Sequence, residues 1–256
     1  MNDKLAIQCI NLTKSYASIN AVDGLNLDIR KGEIMGFLGP NGAGKSTSIN
    51  MICGLLEPDH GKVLIFGEDL RIHDKVRYKI GICPQENIYW PKLTGLEQLQ
   101  FMASMYGMNL STSRKKGMEL LDRLGLADHA RKLSVKWSGG MKRRLNIALA
   151  LVHDPEIIVL DEPEAGLDPQ SRIMIREFIT SLTPQKTVLL TTHNMDEADR
   201  VSERLAIMDK GKLIRIGTPH ELKASIDGDM QIKEVVIRRK TLEDVFINLT
   251  GKSLRT

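Results

Sequence analysis

The segment "GPNGAGKST", residues 39–47, has the residue types and spacing to hold a polyphosphate. It fits the pattern G-x-x-x-x-G-K-[ST] and follows the apolar "EIMGFL", then runs into the helix-forming "STSINMICG". In that strand–loop–helix setting the glycines of the loop Gly39, Pro40, Asn41, Gly42, Ala43 and Gly44 let its backbone N–H groups, which Pro40 alone lacks, turn inward around phosphates. Lys45 can neutralise β- and γ-phosphate charge, and the Ser46 hydroxyl can ligate Mg2+, with Thr47 completing the cradle.

A second stretch, "EIIVLDEPEAGLDP", supplies what that loop lacks. Asp161 ends an apolar run and can hold Mg2+ through water. Glu162 then stands beside the γ-phosphate, able to accept a proton from attacking water. An acidic pair at a strand end can equally cap the following helix; the phosphate loop upstream decides for chemistry. Gln85 and His193 each follow a similar run, and their claim rests on that shared placement. In "WSGGMKRRL", Ser138 can cap a helix whose first N–H groups are left bare by Gly139 and Gly140. This makes a second surface for an anion. The following Lys142, Arg143 and Arg144 read mainly as a solvated basic face.

These residues need a scaffold. "EIMGFLG", "KIGICPQ", "EIIVLDE" and "TVLLTTH" are continuous apolar runs that suit strands buried on both faces. Each ends at one of the candidate groups, as expected for a ligand site beyond the carboxyl ends of a parallel sheet. The first thirty residues alternate apolar and polar, which predicts a flanking antiparallel sheet. Residues 87–137 read as an inserted helical subdomain, with Leu96, Leu99, Met102, Met105 and Tyr106 on one face forming core. Near the end, "TLEDVFINLTG" predicts a small amphipathic helix over residues 241–250, capped by Thr241 and Asp244. The fold class is therefore α/β, a phosphate-loop core with helices on both faces of a parallel sheet. Residues 1–220 form the main domain and 221–256 a short extension.

The bulk numbers set limits. The 256 residues can bury a full core, and 36 basic against 32 acidic residues give +4, too mild to argue for nucleic acid or lipid. Cys9, Cys53 and Cys83 lack metal-ligand spacing and read as reduced core thiols. No apolar run approaches the roughly 18 residues of a membrane span. The start is too short in apolar residues for a signal peptide.

The motifs in this order resemble the ATPase subunits of ABC transporters, over about residues 5–218. The resemblance implies that two such domains pair head to tail, the serine-glycine-glycine motif of one covering the γ-phosphate held by the other. It implies that Tyr16 stacks on adenine, and that residues 39–47 with Lys45 hold ATP. Ser138, Gly139 and Gly140 bind in trans. Ser46, Gln85 and Asp161 take Mg2+, Glu162 is the general base, Asp168 reaches across the dimer, and His193 contacts the γ-phosphate. It further implies a separate transmembrane permease met near "PQENIYWPKLTG", a homodimer or heterodimer of ATPase subunits, and a place at the cytoplasmic face of the membrane. "SGGMKRRLNIA" and the tail look most like the subgroup serving drug, antibiotic, lipid or polysaccharide exporters.

Three residues depart from the family pattern. Trp137 and Met141 replace a leucine and a glutamine, and an aromatic at 137 is expected to pack. Glu164 stands where a small hydroxyl residue is common; it either raises the pKa of Glu162 by like-charge repulsion or points to solvent. A soluble relative acting on ribosomes or nucleic acid is the alternative function. The single motif set, and basic clusters without interleaved aromatics, weigh against it and make nucleic acid an unlikely partner. A binding subunit that barely hydrolyses is a third reading, opposed by Glu162 and His193.

Overall fold

The computed structural model describes residues 4–225; the helix expected over 241–250, with Thr241 and Asp244, lies outside the described residues. The chain opens with two long alternating strands, β1 (Leu5–Tyr16) and β2 (Ile19–Arg30), paired antiparallel. β3 (Ile34–Leu38) leads through the phosphate loop into α1 (Lys45–Ile52). β4 (His60–Ile65) and β5 (Glu68–Asp69) complete an antiparallel sheet of order β2-β1-β4-β5. After β6 (Ile80–Cys83) come the helices α2 (Gly95–Met105), α3 (Leu110–Arg123) and α4 (Gly139–Leu151). The chain then alternates through β7 (Ile157–Asp161), α5 (Pro169–Thr180), β8 (Thr187–Thr192), α6 (Met195–Val201) and β9 (Arg204–Asp209). β10 (Lys212–Gly217) and α7 (Pro219–Ala224) follow.

The second sheet has the order β10-β9-β3-β8-β7-β6. Its strands from β9 to β6 run parallel and β10 pairs antiparallel at the edge. Successive side chains of a strand point to opposite faces, and here both faces are covered. Ile158 and Leu160 enter a core shared with the helices, while Ile157 and Val159 enter a core shared with the antiparallel sheet. This is why β7 reads as unbroken apolar sequence. All four predicted runs are adjacent parallel strands, so the loops leaving β3, β6, β7 and β8 emerge at one edge.

α2 starts with a complete capping box, Thr94 Oγ1 accepting from Glu97 N and the Glu97 carboxylate accepting from Thr94 N. Leu96 and Leu99 are buried as the stripe predicts, but Met105 is 65% exposed and Ala103 fills the core instead. Met102 packs against the core from its edge, and Tyr106, just past the end of the helix, stacks on His153 with ring centres 3.8 Å apart, so Met105 alone of the stripe turns outward. Trp137 does pack: it is buried, and a Cβ placed on Gly95 would lie 2.4 Å from its Cη2 atom. Only a residue without a side chain fits beneath this ring. Cys9, Cys53 and Cys83 are buried free thiols, and burial pushes Cys83 up to about 11 and the other two higher.

Candidate active site

The loop after β3 begins the site. Gly44, the N-cap of α1, has φ 101, and a Cβ there would meet the Ala21 carbonyl at 2.4 Å. Glycine is therefore required both by the left-handed backbone and by close approach to β2. Lys45 is buried, its Nζ donating to the carbonyls of Gly39 at 2.7 Å and Pro40 at 3.0 Å. Burial pulls its ammonium below the usual lysine range, while the charges of Glu162 and Asp161 pull it back up. The first-turn N–H groups of α1 and this ammonium together favour an anion. Tyr16, Lys45, Ser46, Gln85, Asp161 and Glu162 line one open cleft of 310 Å³, together with Asn41, Gly42, Gly44 and Thr47. Tyr16 is half-exposed among the residues that line it.

The acidic pair sits where β7 ends, and its neighbour β8 sets its geometry. Asp161 is in register with Thr191, whose hydroxyl donates to Asp161 Oδ1. The Glu162 N–H donates to both the carbonyl and the hydroxyl oxygen of Thr191, each at 3.1 Å. Glu162 has φ 50, a left-handed conformation that non-glycine residues seldom adopt. Such backbone is kept only when its surroundings over-determine it, and the two bonds to Thr191 do so. The Glu162 carboxylate is buried and accepts from His193 Nδ1 at 2.7–2.8 Å. Two residues read separately from sequence thus form one hydrogen-bonded pair, with the imidazole half-exposed.

Glu164 does not point to solvent. It is buried and paired, Arg176 Nη2 donating to Oε2 at 2.8 Å and Nε to Oε1 at 3.1 Å. The partner lies twelve residues on, in α5, so the extra carboxylate arrives with its own counter-charge.

Behind this pair lies Glu197 of α6, buried, with Oε2 accepting from Thr192 Oγ1 at 2.6 Å and Oε1 without a partner. Burial, then the charges of Glu164 and Glu162, push its carboxyl up to about 7, against lowering by Thr192 and Arg176. Unfolded, the same group titrates near 4.5. The folded chain binds the extra proton between these values, so stability falls as pH rises through that window, by about 3 kcal/mol in all. Glu197→Gln is expected to flatten this decline and raise Tm at pH 8 by several degrees in calorimetry. An unchanged profile would mean that Glu197 is already ionised in the fold.

Ser138 caps α4 as predicted, its Oγ accepting from Met141 N at 3.2 Å. Ser138 and Gly139 are exposed, and open space surrounds the Cα of Gly139. Gly140 is closed in by Ser171 and Asp168. Asp168 itself caps α5, accepting from Ser171 N at 2.9 Å, and hydrogen bonds from Ser171 hold its carboxyl below the usual range. None of Ser138, Gly139, Gly140 and Asp168 lines the phosphate cleft. The three basic residues that follow are not a solvated face. Lys142 lies 4.7 Å from the Tyr89 ring centre, and Arg144 bonds the carbonyls of Leu124 and Gly140. Arg143 is fully enclosed.

Thr191, Thr192, Glu197 and Arg143 went unread as site residues. The threonines look like ordinary strand residues, and only strand register brings Thr191 beside Asp161. No helix among the described residues is long and apolar enough to cross a membrane.

This geometry agrees with the comparisons. The ABC transporter family matches residues 22–165. The chain is 41% identical, over 90% of its length and 75% of the relative's, to the linearmycin resistance ATP-binding protein LnrL of Bacillus subtilis. It is 42% identical, over 88% of its length and 69% of the relative's, to the daunorubicin/doxorubicin resistance ATP-binding protein DrrA of Streptomyces peucetius. Among solved structures it superposes with a TM-score of 0.76 at 30% identity on a dimeric ATP-binding cassette in a post-hydrolysis state bound to ADP and Pi. That match covers 83% of this chain and 98% of the other. A phosphate cleft, an acidic pair at a strand end and a separate serine-glycine-glycine helix start, on a chain with these relatives, identify it as a member of the ABC transporter family, an ATP-hydrolysing, nucleotide-binding subunit.

Proposed function

We propose that the chain is the motor of a separate transmembrane permease, working at the cytoplasmic face of the membrane and driving export. One observation carries this reading: the phosphate-loop cleft and the helix start capped by Ser138 lie apart and do not share a cleft. A cleft with Lys45 and Glu162 but without Ser138, Gly139 and Gly140 is half a site. Two chains placed head to tail complete two sites, either as identical copies or as this chain with a related subunit. On this reading Asp168 lies at the dimer interface. Residues 1–220 form the ATPase domain, with 87–137 its helical subdomain and 221–256 an extension.

Within each site Tyr16 stacks on the base, and Lys45 with the loop backbone holds the phosphates. Ser46, Gln85 and Asp161 offer hard oxygen donors, too few to enclose a cation, which suits Mg2+ sharing its shell with water and phosphate. Bound there, Mg2+ would neutralise phosphate charge. Thr191 orients the Asp161 carboxylate that would hold it. Glu162 takes the proton of the attacking water, and His193, anchored on Glu162 through Nδ1, leaves Nε2 for the γ-phosphate. The resistance names of the relatives support export. Tagged chain purified from gently solubilised native membranes is expected to bring down a polytopic membrane protein in stoichiometric amount. Ribosomal proteins or nucleic acid surviving a salt wash, with no such partner, would overturn the proposal.

A further inference from the structure

Arg143 lies in the first turns of α4, the helix that Ser138 caps, and is 2% exposed. Among the described residues it makes no ion pair; its donors go to backbone carbonyls. Nη1 donates to the carbonyls of Pro84 and, at 3.1 Å, Gln85. Nε donates to Pro163 at 3.2 Å, and Nη2 to Asp161. A buried cation without a counter-ion is costly unless its hydrogen bonds are satisfied, and carbonyl dipoles satisfy these.

The identity of those carbonyls matters more than their number. Two belong to the segment leaving β6, which carries Gln85, and two to the segment leaving β7, which carries Glu162. α4 grips the first segment elsewhere as well. Asn146 Oδ1 accepts from Ile88 N at 2.9 Å, and Lys142 sits on the Tyr89 ring. Of these three side chains only Arg143 also reaches the second segment. The planar guanidinium fork donates from three separated nitrogens and so spans both segments, whereas a lysine ammonium donates from a single nitrogen.

We propose that Arg143 is a positioning residue that locks the Gln85 segment to the turn bearing Glu162. Displacement of residues 84–89 is thereby transmitted to the turn that aims the Glu162 carboxylate, and α4 carries the same displacement to Ser138 at its start. This rests on the reading of Glu162 as the base. The coupling itself is a matter of backbone geometry and can be tested apart from that reading.

The test uses the full chain carrying Arg143→Lys or Arg143→Gln, with Glu162→Gln alongside. Four quantities are read: Tm, ATP dissociation constant, kcat, and amide hydrogen exchange over residues 84–90 and 161–166. In Arg143→Lys the Kd for ATP is expected to stay within about threefold while kcat falls roughly 10- to 100-fold, the scale of a small misplacement of a reacting group. Exchange should quicken in both segments together and not along β3. Quickening in one segment only, unchanged kcat despite quickening in both, or loss of Kd in parallel with kcat would each overturn the proposal. If Arg143→Lys fails to fold, Arg143→Gln is held to the same criteria. Full turnover in Glu162→Gln would instead remove the assigned base, leaving the exchange data to decide whether Arg143 joins the two segments.

Discussion

Glu162→Gln is expected to bind ATP about as tightly as the parent chain and to lose at least about a hundredfold in turnover. The substitution preserves almost everything that the fold uses. Glutamine has the same volume, the N–H of residue 162 still donates to Thr191, and the side-chain oxygen still accepts from His193. What disappears is the capacity to take a proton from water. On the proposed reading the loop and Lys45 make the binding contacts, which this substitution leaves alone, so the loss should fall on kcat rather than on KM. With hydrolysis blocked, ATP should hold two chains together, and gel filtration with ATP should show a dimer that the parent chain forms only transiently. Unchanged turnover would exclude Glu162 as the base.

Lys45→Ala should act on the other half of the reaction. The ammonium is held inside the loop by the carbonyls of Gly39 and Pro40, already desolvated and aimed. Removing one partner of a buried, hydrogen-bonded charge pair costs about 2–5 kcal/mol, which is roughly 30-fold to several thousandfold in ATP affinity. Calorimetric titration of nucleotide into the variant measures this directly, with circular dichroism to show that the fold survives. Nucleotide binding equal to that of the parent would refute the role of the loop as the phosphate cradle. The two variants are complementary: one is expected to bind without turning over, the other to bind weakly.

Much of this site was legible because its signals are local. The phosphate loop, the acidic pair and the capping serine each declare themselves within a few residues, and unbroken apolar runs mark strands covered on both faces. The fold then needed only the rule that ligands gather at the carboxyl ends of parallel strands. What stayed hidden depends on partners distant in sequence. Arg143 sits in "KRR", which looks like a solvated helix face; its burial is compensated by carbonyls 18 to 59 residues away. The burial of Glu164 could not be read because its partner, Arg176, belongs to the next helix. Thr191 became a site residue only through its register with Asp161. Met105 failed as core although Tyr106 beside it packs on His153, because periodicity groups residues on a face but does not say which of them meets a neighbouring element.

The contact between Trp137 and Gly95 makes the history of this chain depend on the order of its changes. With the indole in place, any side chain at 95 overfills the space, at about 1–3 kcal/mol. A lineage moving from tryptophan to leucine at 137 can relax position 95 afterwards, but the reverse order must pass through the overpacked intermediate. The two positions are forty-two residues apart in the chain, yet they can drift only in sequence, one releasing the other. Recombination between relatives that splits them should produce crowded or hollow offspring, according to which parent supplies the tryptophan.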